Sequence, residues 1–290
     1  VLSIVLQQIA NGLTIGVVYA LIAIGLTLVF GILDVINFAH GEFYMLGAFL
    51  TYSLSTGLGL NYFVALAVAV AGAAAAGLAA ERLTVRPLKG RHMFTVVLST
   101  LGLSIFLQNS ALLYWGPDPR EIDLAWGSRP ILLGDVVVSQ LRLLAFGAGV
   151  ALILAVTWFI RSTTWGMAMR AVARNRDAAA LMGVPVDRIY ALTFAVGTGM
   201  AGVAGGLLGA MFTIEPTMGE WAVVKAFSVV IMGGMGNVPG AVLGGIILGV
   251  AESLGAGFLP GGTGYKDGIG YAILILVLLF RPQGLFGHRV

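Results

Sequence analysis

Residues 43–80 read FYMLGAFLTYSLSTGLGLNYFVALAVAVAGAAAAGLAA, thirty-eight positions without one Asp, Glu, Lys, Arg or His. As a single helix this stretch would be about 57 Å long, close to two hydrocarbon cores laid end to end. It must therefore cross, turn and cross again. The run Ser55-Thr56-Gly57-Leu58-Gly59-Leu60-Asn61 supplies the small and turn-forming residues for the reversal. The same reading extends outward in both directions. Val1 to Leu33 also lacks Asp, Glu, Lys, Arg and His, and it is too long for the core of a signal peptide with no basic stretch before it. Further apolar runs follow at Met93 to Trp115, Leu143 to Ile160, Ile189 to Ile214, Ala226 to about Gly236, Val238 to about Leu254 and Gly268 to Phe280.

Composition agrees with that pattern. The 290 residues are 59% hydrophobic and 10% charged, where soluble domains are about a quarter charged. Mean hydropathy is +0.98. These values exclude a soluble catalytic domain and a nucleic-acid binder, and the absence of cysteine excludes a disulfide framework or a thiolate metal site. The expected fold is all-α: one polytopic membrane domain over residues 1–290, with about eight to nine transmembrane helices, some broken or short. The 42 glycines are about twice the usual share and suit close helix approach.

Charge orients the spans. Arg82, Arg86, Lys89 and Arg91 share one loop, Arg161, Arg170, Arg174, Arg176 and Arg188 another, and Arg281 and Arg289 lie in the tail. The positive-inside rule makes these cytoplasmic. Asp118, Glu121, Asp123 and Asp135, and then Glu215 and Glu220, mark the outer loops, with Lys225 at the outer edge of the last group.

Two motifs do not survive inspection. Gly197-Thr-Gly199-Met-Ala-Gly202 matches the dinucleotide pattern but lacks a preceding strand and an acidic ribose partner. Gly202 with Gly206, and Gly205 with Gly209, read instead as overlapping small-xxx-small packing faces. Gly261-Gly262-Thr263-Gly264-Tyr265-Lys266 lacks the ending that a phosphate loop requires. His40 with Glu42 offers too few ligands for zinc, because His92 and His288 lie at span edges; no metal and no cofactor are expected in this chain.

Three constellations remain. From Asp34 to Glu42 an apolar helix stops at a polar cluster containing Asn37 and His40, and a new helix restarts, with Asp34 or Asn37 placed to cap it. Such a break is either an interfacial loop or a discontinuous transport helix. From Gly233 to Gly240 a second run breaks at Gly234, Gly236 and Asn237. Its Gly234-Met-Gly-Asn237-Val aligns with Gly31-Ile-Leu-Asp34-Val and suggests a duplicated element. The two breaks are expected to converge on a translocation pathway or gate formed by Asn37, His40, Glu42, Gly234, Gly236 and Asn237. The third is the basic segment 161–188, read as one amphipathic helix over Trp165 to Met182. Its apolar positions are Ala171, Ala178, Leu181 and Met182, and it stops at Gly183 before Pro185. Its wet side carries Arg170, Arg174, Asn175, Arg176 and Asp177 and suits a cytoplasmic partner.

These residues also carry a resemblance. Ala20-Leu-Ile-Ala-Ile-Gly-Leu-Thr-Leu-Val-Phe-Gly, Val35-Ile-Asn-Phe-Ala-His-Gly-Glu, Ser104-Ile-Phe-Leu-Gln-Asn, Ala191-Leu-Thr-Phe, Gly233-Gly-Met-Gly-Asn-Val-Pro-Gly-Ala and Tyr271-Ala-Ile-Leu-Ile-Leu-Val-Leu-Leu resemble the permeases of bacterial branched-chain amino acid ABC importers of the LivH type. The likeness spans essentially the whole chain. It implies a non-enzymatic subunit in the inner membrane, paired as a heterodimer with a related permease. Two ATPase subunits would bind the ATP, a periplasmic protein would deliver cargo, and Arg170, Arg174, Asn175, Asp177 and Gly183 would belong to the coupling segment. The importers of urea and short amides share much of the pattern and stand as the alternative. An ion-coupled carrier is the rival from another class and would not need an ATPase dock.

Overall fold

The structure is a computed structural model that describes residues 2–259, 264–281 and 283–286; residues 261–263 of the glycine-rich loop, His288 and Arg289 lie outside this range. Among the described residues there are eleven α-helices and one hairpin. In chain order they are α1 (Leu2–Leu33), α2 (His40–Tyr52), α3 (Tyr62–Ala80), α4 (Met93–Trp115), β1 (Pro130–Leu133), β2 (Val136–Ser139), α5 (Gln140–Ser162), α6 (Thr164–Arg174), α7 (Arg176–Leu181), α8 (Val186–Gly209), α9 (Met218–Gly233), α10 (Val238–Phe258) and α11 (Lys266–Phe280). Six helices are long and apolar enough to cross a membrane: α1, α3 with its continuation to Leu88, α4, α5, α8 and α10. The shorter α2, α9 and α11 complete a nine-helix bundle of the expected class.

The expected reversal is present. Helix α2 gives way at Ser53–Gly57 to a π-turn, Gly59 takes φ +68°, and Asn61 caps α3 by accepting from the Phe63 amide at 3.0 Å. The far end of the bundle carries the β-hairpin, whose Pro130↔Ser139 to Leu133↔Val136 register closes through Gly134 (φ +62°) and Asp135. Gln7 of α1 pairs with both backbone groups of Val137 at 2.9 Å, which ties the hairpin to the first helix.

Helices α1 and α8 form the centre. They are apolar on every side and buried along most of their length, whereas α4 and α5 lie at the perimeter. Apolarity gives no drive to associate inside lipid, so backbone proximity has to provide the contact energy. Glycine allows it. A Cβ on Gly16 would lie 2.8 Å from the Gly245 carbonyl oxygen, and one on Gly245 would lie 2.7 Å from the Ala20 nitrogen, so α10 seats directly on the α1 backbone. A Cβ on Gly197 would lie 2.8 Å from the Gly25 carbonyl oxygen, marking the crossing of α1 with α8.

The bundle has an internal inverted repeat. Helix α1 runs to the basic end, the chain doubles back through residues 34–39, α2 climbs from mid-depth, and α3 crosses fully. Helix α8 runs the opposite way, residues 210–217 double back, α9 descends from mid-depth, and α10 crosses fully. Gly41 on α2 meets Gly219 on α9 where the two half-length helices pass. Transporter folds are often built from such repeats, with discontinuous helices at their shared core. The counterpart of the first break is therefore residues 210–217, not Gly233 to Gly240. The latter is a tight turn between antiparallel α9 and α10, with Gly234 at φ +99° and Gly236 at φ +78°. The sequence alignment across Gly31 and Gly234 pairs two turns at the same end of the molecule, and a short match cannot reveal an inverted relation.

Three other expectations change. The segment 161–188 holds two helices instead of one. Asn175 adopts an extended conformation (φ −159°), ends α6 and caps α7 by accepting from the Ala178 amide at 2.9 Å. The segment buries Gly166, Met169, Val172 and Ala179, while Leu181 and Met182 are 89% and 84% exposed. Gly183 (φ +83°) does terminate α7. Neither Asp34 nor Asn37 is the N-cap of α2, a position held by Ala39. Lys225 is inside α9 and 1% exposed, so it is no loop residue.

Candidate functional site

Asp34 ends α1 in the left-handed region (φ +57°), which asparagine and aspartate tolerate better than other residues with a Cβ. The chain then returns into the bundle. The Asn37 side chain accepts from the Ala39 amide at 3.1 Å and folds the entry into α2. His40 is fully buried, and its Nε2 lies 3.0 Å from the Ile22 carbonyl oxygen on α1. A carbonyl only accepts, so Nε2 carries the proton. A Cβ on Gly25 would sit 2.9 Å from the imidazole, so Gly25 is the space His40 occupies. The Asn37 Nδ2, His40 Nδ1 and Glu42 Oε2 atoms are buried without a partner.

Glu42 closes the first turn of α2, where the helix dipole favours a carboxylate. Its Oε1 accepts from the Ser104 hydroxyl at 2.9 Å, and its carboxyl group packs over Gly219 in the first turn of α9, where a side chain would collide with it. Ser104 is the middle residue of α4, about 16 Å from either end, so Glu42 lies at the midpoint of the bundle. The two half-length helices thus start beside each other at mid-depth.

Helix α4 reads this region with one polar stripe at intervals of four. The Thr100 hydroxyl accepts from the Phe38 amide at 3.3 Å, Ser104 donates to Glu42, and Gln108 donates to Glu220 Oε1 at 3.0 Å. Glu220 is exposed on the side of the bundle. An ionised carboxylate facing lipid at this depth costs roughly 2.5–3.5 kcal/mol on insertion scales, so such groups face a partner or a water-filled cavity.

A second polar group lies deeper. Lys225 of α9 pairs with Glu252 Oε1 of α10, and Tyr19 of α1 donates to Glu252 Oε2 at 2.9 Å. The Lys225 ammonium also lies 5.8 Å from the Trp221 ring and 5.6 Å from the Tyr271 ring. Lys225 and Glu252 are 1% and 0% exposed. This pair fastens α1, α9, α10 and α11 together. The sequence carries one signal of this pair, a lone glutamate inside the apolar run Val238 to about Leu254. The Thr100, Ser104, Gln108 spacing is the corresponding signal of the α4 stripe.

The residues expected to form one pathway fall into two groups. Asn37, His40 and Glu42 meet at mid-depth. Gly236 and Asn237 lie at the basic end, where they share a cavity of about 580 Å³ with Thr27, Gly31, Arg161 and Arg170. Gly234 lies in the adjoining turn, and Asn237 caps α10 by accepting from the Gly240 amide at 3.0 Å. A neighbouring cavity joins Asp34, Arg174, Asn175 and Gly236. Asp177 is surface-exposed and pairs with Arg176 at 3.3 Å, and Arg170 donates to the Ile160 carbonyl at the end of α5. Gly202 and Gly206 face α3 through Ala73 and Leu66, and Gly205 and Gly209 face α2 through Tyr44 and Ala48.

A discontinuous helix pair in an inverted repeat is a transporter architecture, and comparison with known proteins specifies which. The family model described as "branched-chain amino acid transport system / permease component" matches residues 8–278. The chain belongs to this permease family. The high-affinity branched-chain amino acid transport system permease protein BraD of Pseudomonas aeruginosa is 40% identical over 98% of this chain and 96% of its own length. LivH of Escherichia coli K12, a permease protein of the same system type, is 39% identical over the same shares. The permease protein LivM of Escherichia coli K12 is 26% identical, covering 94% of this chain and 68% of its own. Among solved structures, a chain of "PsaBC from Streptococcus pneumoniae in complex with Fab" matches with a TM-score of 0.51 at 15% identity over 95% of this permease and 92% of that chain, a likeness of fold.

Proposed function

We propose that this chain is the membrane-spanning permease subunit of a bacterial ABC importer that carries leucine, isoleucine and valine across the inner membrane into the cytoplasm. Near-whole-length identity of 40% to a permease of that system carries the reading. The geometry agrees with it: half-length helices start beside one another at mid-depth, and backbone freed from helical bonding is tolerated there only in a protein interior or a wet cavity.

The same reading assigns the partners. A second, related permease pairs with this chain, as the LivM relative supports, and covers the face that exposes Glu220, where a carboxylate would otherwise meet lipid. Two cytoplasmic ATPases bind and hydrolyse the ATP, while this chain holds no cofactor and performs no catalysis. They dock at the basic end, where the α6–α7 connector projects Leu181 and Met182. A periplasmic binding protein delivers cargo to the opposite end.

Complementation tests the proposal. Cells lacking their branched-chain amino acid uptake systems and expressing this chain with its partner subunits should take up labelled leucine, and ATP depletion should abolish uptake. Uptake of labelled urea in place of leucine would contradict it.

A further inference from the structure

The polar stripe of α4 leaves acceptors facing outward. Gln108 donates to one oxygen of Glu220, which leaves Glu220 Oε2 and the Gln108 carbonyl oxygen open. The Ser104 hydroxyl donates to Glu42, so its lone pairs are also available. Ser104 and Gln108 stand one helical turn apart, about 6 Å along the axis. Oxygen acceptors on adjoining turns, one of them a carboxylate, are what the N–H donors of a primary ammonium group require. Behind them lies Glu42, 1% exposed, with its Oε2 buried, without a partner, and packed over Gly219, the residue that precedes Glu220. The surrounding face of α4 is apolar, with Leu101 and Ile105 exposed beside the stripe.

We propose that Glu220, steadied by Gln108 and backed by Glu42, is the mid-depth contact for the positively charged amino group of the cargo. The inference rests on the amino acid permease reading. A single-sided contact of this kind holds the ammonium while leaving the apolar side chain against Leu101 and Ile105. It recognises what all branched-chain amino acids share and does not distinguish among them. Gly219 is a positioning residue, because only its missing Cβ lets the Glu42 carboxyl group lie alongside.

The test uses the assembled importer in proteoliposomes, with initial leucine uptake normalised to assembled complex. Glu220→Gln keeps the shape and the contact with Gln108 but removes the charge, and Glu220→Asp keeps the charge. The Gln variant should lose at least about tenfold of the uptake and the Asp variant should retain most of it, because Coulomb attraction and not packing is at stake. Wild-type uptake in the Gln variant overturns the assignment. So does failure of the Gln variant to assemble while the Asp variant assembles, which would make Glu220 a subunit contact.

A second readout is independent of transport. With Gln108→Cys in this otherwise cysteine-free chain, a cationic thiol reagent should react about tenfold faster than its anionic counterpart, and adding Glu220→Gln should erase the preference. Equal rates with Glu220 in place, or no reaction with either reagent, overturn the proposal. A wild-type complex that moves no leucine overturns the amino acid reading itself, and the amine assignment with it. A wild-type complex that moves leucine no faster than the Gln variant overturns only Glu220.

Discussion

Lys225 and Glu252 show how much one buried pair can determine. A buried charge left without its partner typically costs about 3–5 kcal/mol, whereas replacing both charges together is often neutral. Lys225→Met should therefore lower the thermal midpoint in detergent sharply, and Lys225→Met with Glu252→Gln should recover most of the loss. A single variant as stable as wild type would show that the pair carries no such weight. Gly219→Ala makes a milder prediction, because the new methyl group meets the Glu42 carboxyl group. Transport should fall several-fold while assembly persists, as measured by uptake per assembled complex. The residues of the first break were legible in the sequence because Asn37, His40 and Glu42 are polar groups interrupting apolar runs. Lys225 and Glu220 were misplaced for a physical reason. Charge counting sends every ionisable residue to a loop, and it fails where a half-length helix begins inside the membrane.

Helix α8 makes the glycine argument at the scale of an element. Gly202 and Gly206 accept α3 through Ala73 and Leu66, and all four glycines abut α2, at Gly47, Thr51, Tyr44 and Ala48. A side chain at Gly205 would collide with the Tyr44 carbonyl, a backbone atom that cannot rotate away. Gly205→Leu should thus cost at least about 1–3 kcal/mol from overpacking, seen as early aggregation on heating in detergent. Wild-type detergent stability in that variant would refute the packing role. The small-xxx-small spacing made this face readable in advance, although not which helix would lie on it. The α6–α7 connector was only half legible. Gly183 marked its end, but Asn175 looked like one more polar residue on a helix, and its extended conformation appears only once its side chain is seen to cap the Ala178 amide. Because Arg170 is engaged with the end of α5, the exposed Leu181 and Met182 are better candidates for partner contact. Leu181→Asp with Met182→Asp should reduce ATP-driven uptake at least tenfold while leaving insertion intact. Unchanged uptake would place the dock elsewhere.

At the scale of the whole molecule, the number and order of the membrane helices followed from apolar runs, because every span must satisfy its backbone internally. The inverted repeat did not. Its halves share a path through space and little recognisable sequence, so residues 210–217 gave no sign of being the counterpart of residues 34–39. The proposed transport route takes cargo through the mid-depth junction of α2, α4 and α9. Ser104 and Phe106 test this on one helix: they lie at the same depth and point about 200° apart, and Phe106 is exposed on the apolar side. In the assembled importer, a water-soluble thiol reagent should modify a Ser104→Cys variant at a rate that changes between the resting state and ATP turnover. A Phe106→Cys variant should stay slow throughout. If the Ser104→Cys variant is as unreactive as the Phe106→Cys variant in every nucleotide state, the junction is sealed structure and the cargo crosses elsewhere.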